Sequence, residues 1–243
     1  MPFYFIQKED VFNGRVSIGL PLSHHLIQVL RYQKGDSLTL VDEERHKYTA
    51  RILSVSSNNI ESEVLSKIEP SPQKKPLLHL GIALLKGDKM DWAIQKAAEL
   101  GVDRISPLIT RRVVAKLPAS RQKRWFEIAK EAAQQSERLE IPTINTPLSL
   151  ESFLEETQSA HMKYIFWEKA PHLHISTQIH ASLVKSPEKG AVLIGPEGGF
   201  EKEEVDQAIE KGYIAVSLGE RPVRAETAAL AALTILQYEI GMK

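Results

Sequence analysis

Two glycine-rich loops constrain this chain most, because each follows a short apolar run of the kind that forms a buried strand. The first loop, residues 195–199, reads Gly-Pro-Glu-Gly-Gly after an apolar run at 192–194, and the second begins at Gly219 after the run 216–218. Ligands of open α/β sheets bind beyond the carboxyl ends of the strands. We therefore predict that the loops lie side by side on consecutive parallel strands and form one ligand pocket.

From residue 77 onward, runs of strand length alternate with segments of helix length. This alternation is typical of an α/β domain in which helices cover both faces of a mostly parallel sheet. The predicted strands lie near 77–85, 104–109, 163–167, 191–194 and 214–218. The predicted helices lie near 88–100, 119–138, 149–158, 176–185, 201–211 and 226–240.

The first 70 residues show a different pattern, in which short β-favouring runs are separated by turn residues, as in a small β-barrel. Strands are predicted at 37–41, 47–53 and 59–65. One helix is predicted from Ser23, its N-cap, to Arg31.

Three prolines end this β pattern, at Pro70, Pro72 and Pro76. Proline disfavours a helix interior and cannot donate a hydrogen bond in a central strand, so a linker is expected here. We therefore predict a β domain at 1–70, a linker at 71–76 and an α/β domain at 77–243.

Composition gives no support to a metal or membrane role. The chain has no cysteine, and its eight histidines show no paired spacing of metal ligands. No apolar run reaches the roughly 18 residues that span a bilayer, and the first residues lack the basic and apolar regions of a signal peptide. We expect a cytoplasmic protein without a structural or catalytic metal.

Charge is distributed unevenly along a chain whose formal net charge is zero. Residues 71–138 hold 14 Lys and Arg against 7 Asp and Glu, whereas residues 139–243 hold 9 against 15. A basic block inside a neutral chain indicates contact with a polyanion, and the plain alternative is a solvated helix face. The candidate contacts in this block are Arg111, Arg112, Lys116, Arg121, Lys123 and Arg124.

The first loop does not have the sequence of a phosphate-binding loop, since no Lys-Ser/Thr pair follows it and it is not Gly-x-Gly-x-x-Gly. Glu201, Glu203 and Glu204 fill the first turn of the next predicted helix, the position that a phosphate would need. A ligand contacted by the bare backbone, such as an adenine ring with a polar tail, is compatible. The alternative is a tight strand-to-helix turn that needs glycine only for its dihedral angles.

The second loop leads into an apolar helix opened by Glu226 and Thr227. Arg224, just before this helix, is either an ion-pair partner of Glu226 or a group aimed at a phosphate or uracil oxygen. The helix at 226–240 is apolar on nearly every side, so we expect a second chain or a deep core to cover its outer face.

At residues 194–200 and 218–228 the chain resembles the two signature loops of the ribosomal RNA small-subunit methyltransferase E family, in the SPOUT superfamily. Weaker matches occur around His25 and at 86–91, and the resemblance covers nearly the whole length. Pro222 and Val223 stand where the family commonly has isoleucine and leucine, and proline removes one amide there.

The resemblance implies a fold, a cofactor and partners. It implies a PUA-like RNA-binding barrel followed by a SPOUT domain, in which a trefoil knot threads residues after about 190 through an earlier loop. It also implies a homodimer that uses S-adenosylmethionine to make 3-methyluridine in small-subunit (16S) ribosomal RNA, as free RNA or in the assembled subunit. Nothing in periodicity or spacing predicts the knot.

The resemblance also implies roles for particular residues. Arg224 is the first candidate to stabilise the developing uracil anion. Glu197 or Glu226 would take the proton, unless Glu197 is a loop hydrogen-bond acceptor and Glu226 a helix N-terminal carboxylate. Arg31 and Arg138 join the basic block as RNA contacts, which should be salt-sensitive. The predicted cofactor contacts are Ile194, Gly195, Pro196, Glu197, Gly198, Gly199, Leu218, Gly219, Val223, Arg224 and Thr227.

Two other functions stay open. One is a SPOUT methyltransferase that acts on another position, a 2′-O-ribose or a tRNA base. The other is a non-catalytic RNA-binding factor in ribosome assembly, against which the intact glycine loop and the Arg-x-Glu-Thr segment speak.

Overall fold

A computed structural model describes residues 3–72, 76–113, 120–170 and 187–239. The chain divides into two compact units. The first comprises Met1–Pro72 with Gln134–Glu140, and the second comprises Gln73–Ala133 with Ile141–Lys243. The predicted helix at 176–185 and the candidate Lys116 lie outside the described residues.

The first unit contains a six-stranded sheet in the order β1-β4-β5-β6-β3-β2, in which only the β1–β4 pair is parallel. The three predicted strands are confirmed as β4, β5 and β6. The strands β1 to β3 were not predicted, because runs of two to four residues carry little periodicity. The strands are β1 (Phe3–Phe5), β2 (Val11–Phe12), β3 (Arg15–Ile18), β4 (Ser37–Val41), β5 (Lys47–Val55) and β6 (Ile60–Ile68).

The helix of the first unit begins differently from the prediction. A short α1 (Leu22–His24) continues as a π-helical turn over His25–Val29. Ser23 lies inside this helix, fully buried, and its Oγ donates a hydrogen bond of 2.7 Å to the carbonyl of Asn58. The predicted N-cap role of Ser23 is therefore wrong, since its hydroxyl bonds to a distant loop instead of to its own helix.

The second unit contains a seven-stranded sheet whose described pairs are all parallel. Its order is β10-β8-β7-β12-β11-β13, with β9 paired to β8. All five predicted strands are confirmed, within three residues at each end. The strands are β7 (Leu77–Ala83), β8 (Arg104–Ile109), β9 (Thr143–Ile144), β10 (Leu148–Ser149), β11 (Met162–Phe166), β12 (Lys189–Ile194) and β13 (Ile214–Val216).

Helices pack on both faces of this sheet, as predicted. One buried cluster joins α2, α3 and α6 to the sheet, and another joins α4 and α5 to it. The Ser149 hydroxyl caps α4 by accepting a hydrogen bond from the Ser152 amide, and Gly101, with φ +83°, follows the end of α2. The helices are α2 (Lys89–Glu99), α3 (Ser120–Gln135), α4 (Leu150–Glu156), α5 (Lys202–Glu210) and α6 (Ala225–Glu239).

The strand order corrects the prediction that the two loops follow neighbouring strands. β11 lies between β12 and β13, with Phe166 level with Ile194 on one side and with Val216 on the other. The carboxyl end of a third strand, β11, therefore lies between the two loops.

The apolar helix α6 is covered by the core on one side. Ala229, Ala232, Leu233 and Leu236 are buried there, whereas Tyr238 is 78% exposed. Among the described residues, no helix combines the length and the apolar character that a membrane span requires.

Candidate functional site

A cleft of about 500 Å³ opens at the carboxyl ends of β11, β12 and β13, within the second unit. It brings together both glycine loops, as the sequence predicted. Thr227 is the one predicted cofactor contact that does not line this cleft, and it is exposed in the first turn of α6. The predicted residues that line it are Ile194, Gly195, Pro196, Glu197, Gly198, Gly199, Leu218, Gly219, Val223 and Arg224.

The first loop needs glycine for its backbone and for its packing. Gly199 has φ +69°, and its amide donates to the Pro196 carbonyl at 2.9 Å. An added Cβ at Gly199 would lie 2.9 and 3.0 Å from the two carboxylate oxygens of Glu168. The loop is thus both a tight turn and a wall of the cleft. The need for glycine in the turn is therefore compatible with a ligand that contacts the backbone.

The helix after this loop offers little room to a phosphate. Glu201 and Glu204 form a capping box, in which each carboxylate accepts a hydrogen bond from the other residue's amide. The second oxygen of Glu204 accepts a bond from the Arg111 amide at 2.9 Å. Arg112 donates to the Glu201 carboxylate at 2.7 Å and to the Gly198 carbonyl at 2.6 Å. These bonds occupy the helix N-terminus and support the exclusion of a phosphate loop.

Glu197 is bonded within its own loop region. Its Oε1 accepts hydrogen bonds from the Lys86 amide at 3.2 Å and from Lys89 Nζ at 3.3 Å. Burial opposes its ionisation, but bonds from its own amide, the Lys86 amide and Lys89 outweigh burial and hold the pKa of Glu197 below its ordinary value. A carboxylate with a lowered pKa is a weaker base, so the geometry favours Glu197 as a loop hydrogen-bond acceptor.

The second loop presents two unpaired cations. Gly219 has φ +114°, and its amide donates to the buried Ser217 hydroxyl at 3.2 Å. Arg221 and Arg224 are exposed and line the cleft. Within residues 3–72, 76–113, 120–170 and 187–239, neither guanidinium makes a hydrogen bond or an ion pair, so the Arg224–Glu226 pair is not formed.

Glu226 lies in the first turn of α6 and does not line the cleft. Its Oε2 is buried and has no hydrogen-bond partner among the residues that the structure describes. This position fits a helix N-terminal carboxylate better than a base in the cleft.

Sequence reasoning missed the residues at the carboxyl end of β11 and just after it. Phe166, Trp167 and Glu168 line the cleft between the two loops, together with Lys89 and Ser217. A signal for them was present, since the run at 163–167 was predicted as a strand of the same parallel sheet. The carboxyl end of every such strand lies at the same edge.

Part of the basic block forms internal ion pairs. The buried Asp91 carboxylate forms ion pairs with Arg124, whose Nε lies at 2.7 Å, and with Arg121 at 3.5 Å. It also accepts a hydrogen bond of 2.9 Å from the indole N–H of Trp125. Asp88, at the N-cap of α2, makes no side-chain cap bond. Arg121 and Arg124 already have an anionic partner inside the protein.

The remaining candidates for RNA contact lie in both units. Lys123 is exposed, and Arg111 is exposed beside Glu203, at 3.4 Å. Arg31 and Arg138 belong to the first unit, where Arg31 is exposed with φ +59°. No group of three or more metal-ligating side chains occurs in the part of the chain that the structure describes.

Two family models match the chain. An RNA methyltransferase domain matches residues 72–237, and an RNA methyltransferase PUA domain matches residues 21–65. The first match contains the whole cleft, and the second lies within the six-stranded sheet unit.

Relatives match over nearly the full length. The chain is 32% identical over 235 residues to ribosomal RNA small subunit methyltransferase E of Mesomycoplasma hyopneumoniae, covering 96% of this chain and 97% of the relative. It is 31% identical over 222 residues to the Bacillus subtilis protein of that name, covering 89% and 87%. A crystal structure of the Neisseria gonorrhoeae protein of that name, bound to S-adenosylmethionine, is 30% identical with a TM-score of 0.85, covering 98% and 97%.

Proposed function

This chain belongs to the ribosomal RNA small subunit methyltransferase E family, and from that premise we propose that it methylates N3 of a uridine in small-subunit (16S) ribosomal RNA. The methyl donor would be S-adenosylmethionine, which the Neisseria gonorrhoeae relative binds. The observation that carries the proposal is the cleft in which both glycine loops meet beside two arginines that have no bonded partner in the described residues. Such a reaction would place the protein in the cytoplasm.

The residues of the cleft fit this donor. A volume of about 500 Å³ is in the ordinary range for small-molecule sites. Gly195, Gly198 and Gly219 bring backbone groups to the wall of the cleft without side chains, and Ile194 and Leu218 supply apolar surface for an adenine ring. The occupied helix N-terminus is no obstacle, since this donor carries no phosphate. S-adenosylmethionine supplies a methyl group that is already activated by its sulfonium.

Arg224 would act on the acceptor base. Methylation at N3 requires a uracil that has lost its N3 proton, so negative charge must be stabilised beside the methyl donor. An unpaired guanidinium at the cleft lowers the pKa of a nearby uracil and stabilises its anion. Arg221, which the sequence reasoning had not singled out, also lines the cleft.

Proton removal would then need no strong protein base. Glu197 is bonded to the Lys86 amide and to Lys89, and Glu226 does not line the cleft. With the uracil acidified by Arg224, water at the open cleft would take the N3 proton. The chain's main contribution would be positioning and electrostatic stabilisation.

RNA would be held by the first unit together with exposed basic residues of the second. The match of a PUA domain to residues 21–65 supports a binding role for the first unit, with Arg31 and Arg138 as candidate contacts. Lys123 is the exposed candidate on α3. The closed barrel, the trefoil knot and the domain bounds 1–70 and 77–243 stay predictions of this account.

We also infer a homodimer. Tyr238 on α6 is 78% exposed, and Trp92, on the adjoining α2, is 37% exposed, so the apolar helix pair retains an uncovered surface. Light scattering on the purified protein should give twice the mass of the chain. A monomer at micromolar concentration would contradict the inference.

Nucleoside mass spectrometry of small-subunit RNA tests the proposed function. RNA from a strain without this gene should lack 3-methyluridine, and a plasmid copy of the wild-type gene should restore it. A copy with Arg224→Ala should not restore it. An unchanged 3-methyluridine peak in the deletion strain, or loss of a 2′-O-methyl nucleoside instead, would overturn the assignment.

A further inference from the structure

Glu168 is a carboxylate of the cleft that neither glycine loop contains. It follows β11, the strand that separates β12 from β13, and therefore stands between the two loops. An added Cβ at Gly199 would lie 2.9 Å from its Oε1 and 3.0 Å from its Oε2. The Glu168 carboxylate thus lies against the backbone of the first loop, at the cleft.

Within the described residues, the hydrogen-bonding capacity of this carboxylate is unused. The other carboxylate that lines the cleft, Glu197, is bonded to Lys89 at 3.3 Å. For Glu168 the described residues provide no hydrogen bond and no ion pair. Its charge acts on Arg112, but that guanidinium is bonded to Glu201 at 2.7 Å and to a backbone carbonyl. An ionised carboxylate with free acceptor positions at a cleft is suited to a cationic donor group.

Resting on the proposed function, we propose that Glu168 binds the α-ammonium group of S-adenosylmethionine and so selects ligands that carry a free amino-acid tail. An ammonium offers three donors and a positive charge to the open carboxylate. The α-carboxylate of the same tail needs groups of the opposite sign. The exposed guanidinium of Arg221, which has no bonded partner among the described residues, lines the same cleft and provides one.

The sulfonium is the other cationic group of this donor, and the chemistry argues against it as the partner of Glu168. Its positive charge disappears during methyl transfer. A carboxylate that stabilised it would therefore stabilise the ground state more than the transition state and slow the reaction. The ammonium keeps its charge throughout, so a bond to Glu168 holds the donor at no cost to the rate.

Calorimetry with three ligands tests this assignment on the full-length protein. S-adenosylmethionine carries both cations, S-adenosylhomocysteine carries only the ammonium, and 5′-methylthioadenosine carries neither. Glu168→Gln should bind the first two about 10- to 100-fold more weakly than wild type and the third equally well. The matched control is Glu210→Gln, at the exposed end of α5 and outside the cleft, which should bind all three ligands like wild type.

Three outcomes would overturn the assignment. Unchanged affinity of Glu168→Gln for S-adenosylmethionine would remove Glu168 from donor binding. Weaker binding of S-adenosylmethionine alone would assign Glu168 to the sulfonium, and equal weakening of all three ligands would show a general distortion of the cleft. Failure of the wild-type protein to bind S-adenosylmethionine would instead overturn the proposed function, so the two failures are distinguishable.

Discussion

The two edges of the parallel sheet each carry a cavity, and they differ in how their polar groups are bonded. At the carboxyl edge, the cleft of about 500 Å³ is lined by Arg221, Arg224 and Glu168, which have no bonded partner in the described part of the chain. At the amino edge, a cavity of about 240 Å³ is lined by Asp103, His79 and Thr157, which are hydrogen-bonded within the fold, and by two exposed cations, Arg104 and Lys189. We call it the amino-edge cavity.

Several hydrogen bonds lie at or beside the amino-edge cavity. Asp103 accepts a hydrogen bond from the Leu78 amide at 2.7 Å. The Ser106 hydroxyl lies 2.8 Å from His79 Nε2 and also accepts a bond of 2.8 Å from the Asn145 amide group. Groups bonded in this way stabilise the sheet and have little capacity left for a ligand. A cavity alone therefore does not mark the functional edge. The carboxyl edge differs in that a carboxylate and two guanidinium groups, without bonded partners in the described residues, stand beside the two glycine loops.

The largest contrast is expected between one arginine of each edge. Arg224→Ala should lower the turnover of methyl transfer on small ribosomal subunits at least about 100-fold, the usual effect of removing one anion-stabilising group. Arg104→Ala, at the amino-edge cavity, should keep wild-type turnover. Single-turnover assays on matched preparations measure both. Equal losses in the two variants would abolish the distinction between the edges, and full activity of Arg224→Ala would remove its proposed role.

Alanine substitution of one glycine at each edge should have a smaller effect than the Arg224 substitution. At Gly199, φ of +69° and the nearby Glu168 oxygens oppose a Cβ, so Gly199→Ala should weaken S-adenosylmethionine binding about tenfold. At Gly190, in the amino-edge cavity, a Cβ would lie 2.8 Å from Leu78 Cδ2 and 3.0 Å from Met162 Cε. Gly190→Ala should therefore lower the free energy of unfolding by about 1–3 kcal/mol without changing affinity.

Urea titration and calorimetry on the same two proteins provide the measurements. We expect Gly199→Ala to lose mainly affinity for S-adenosylmethionine and Gly190→Ala to lose mainly free energy of unfolding. If Gly190→Ala lost affinity as strongly as Gly199→Ala, the amino-edge cavity would not be purely structural.

The smallest effect concerns His79 in the amino-edge cavity. Burial, assisted by the positive charge of Arg104, lowers the pKa of His79 to about 3, so the folded protein keeps this imidazole neutral. The unfolded chain binds a proton below about pH 6.5, so the free energy of unfolding should fall as the pH drops. Between pH 7.5 and 5.5 the loss from this group is about 1.4 kcal/mol.

Comparison with His79→Gln isolates that contribution, because the other histidines titrate in both proteins. Urea titrations at the two pH values should show a smaller loss of unfolding free energy in the variant. An identical pH dependence in the two proteins would show that the pKa of His79 is not lowered in the folded state.

Local sequence pattern predicted the elements well and their spatial order poorly. Apolar periodicity, with glycine and proline at the ends of the runs, predicted the positions of the five main strands and of the helix capped by Ser149. Strand order depends on long-range pairing, which no local pattern encodes. For this reason β11 was not placed between β12 and β13, and Glu168 was missed although its strand was predicted.

Side-chain partners distant in the chain were also beyond prediction. Arg121 and Arg124 belong to a basic run, and only the fold brings them to Asp91, about thirty residues earlier. The same holds for Ser23, whose hydroxyl bonds to the carbonyl of Asn58 in place of a helix amide. The two glycine loops were predictable because positive φ and close backbone approach restrict the residue type locally.

Transfer of a labelled methyl group tests the central claim most directly. Small ribosomal subunits from the deletion strain would be incubated with the purified protein and with S-adenosylmethionine that carries a deuterated methyl group. After digestion of the RNA to nucleosides, mass spectrometry should find the label in 3-methyluridine, and the Arg224→Ala protein should incorporate it at least about 100-fold more slowly. Label in a 2′-O-methyl nucleoside, or no label with the wild-type protein, would contradict the account.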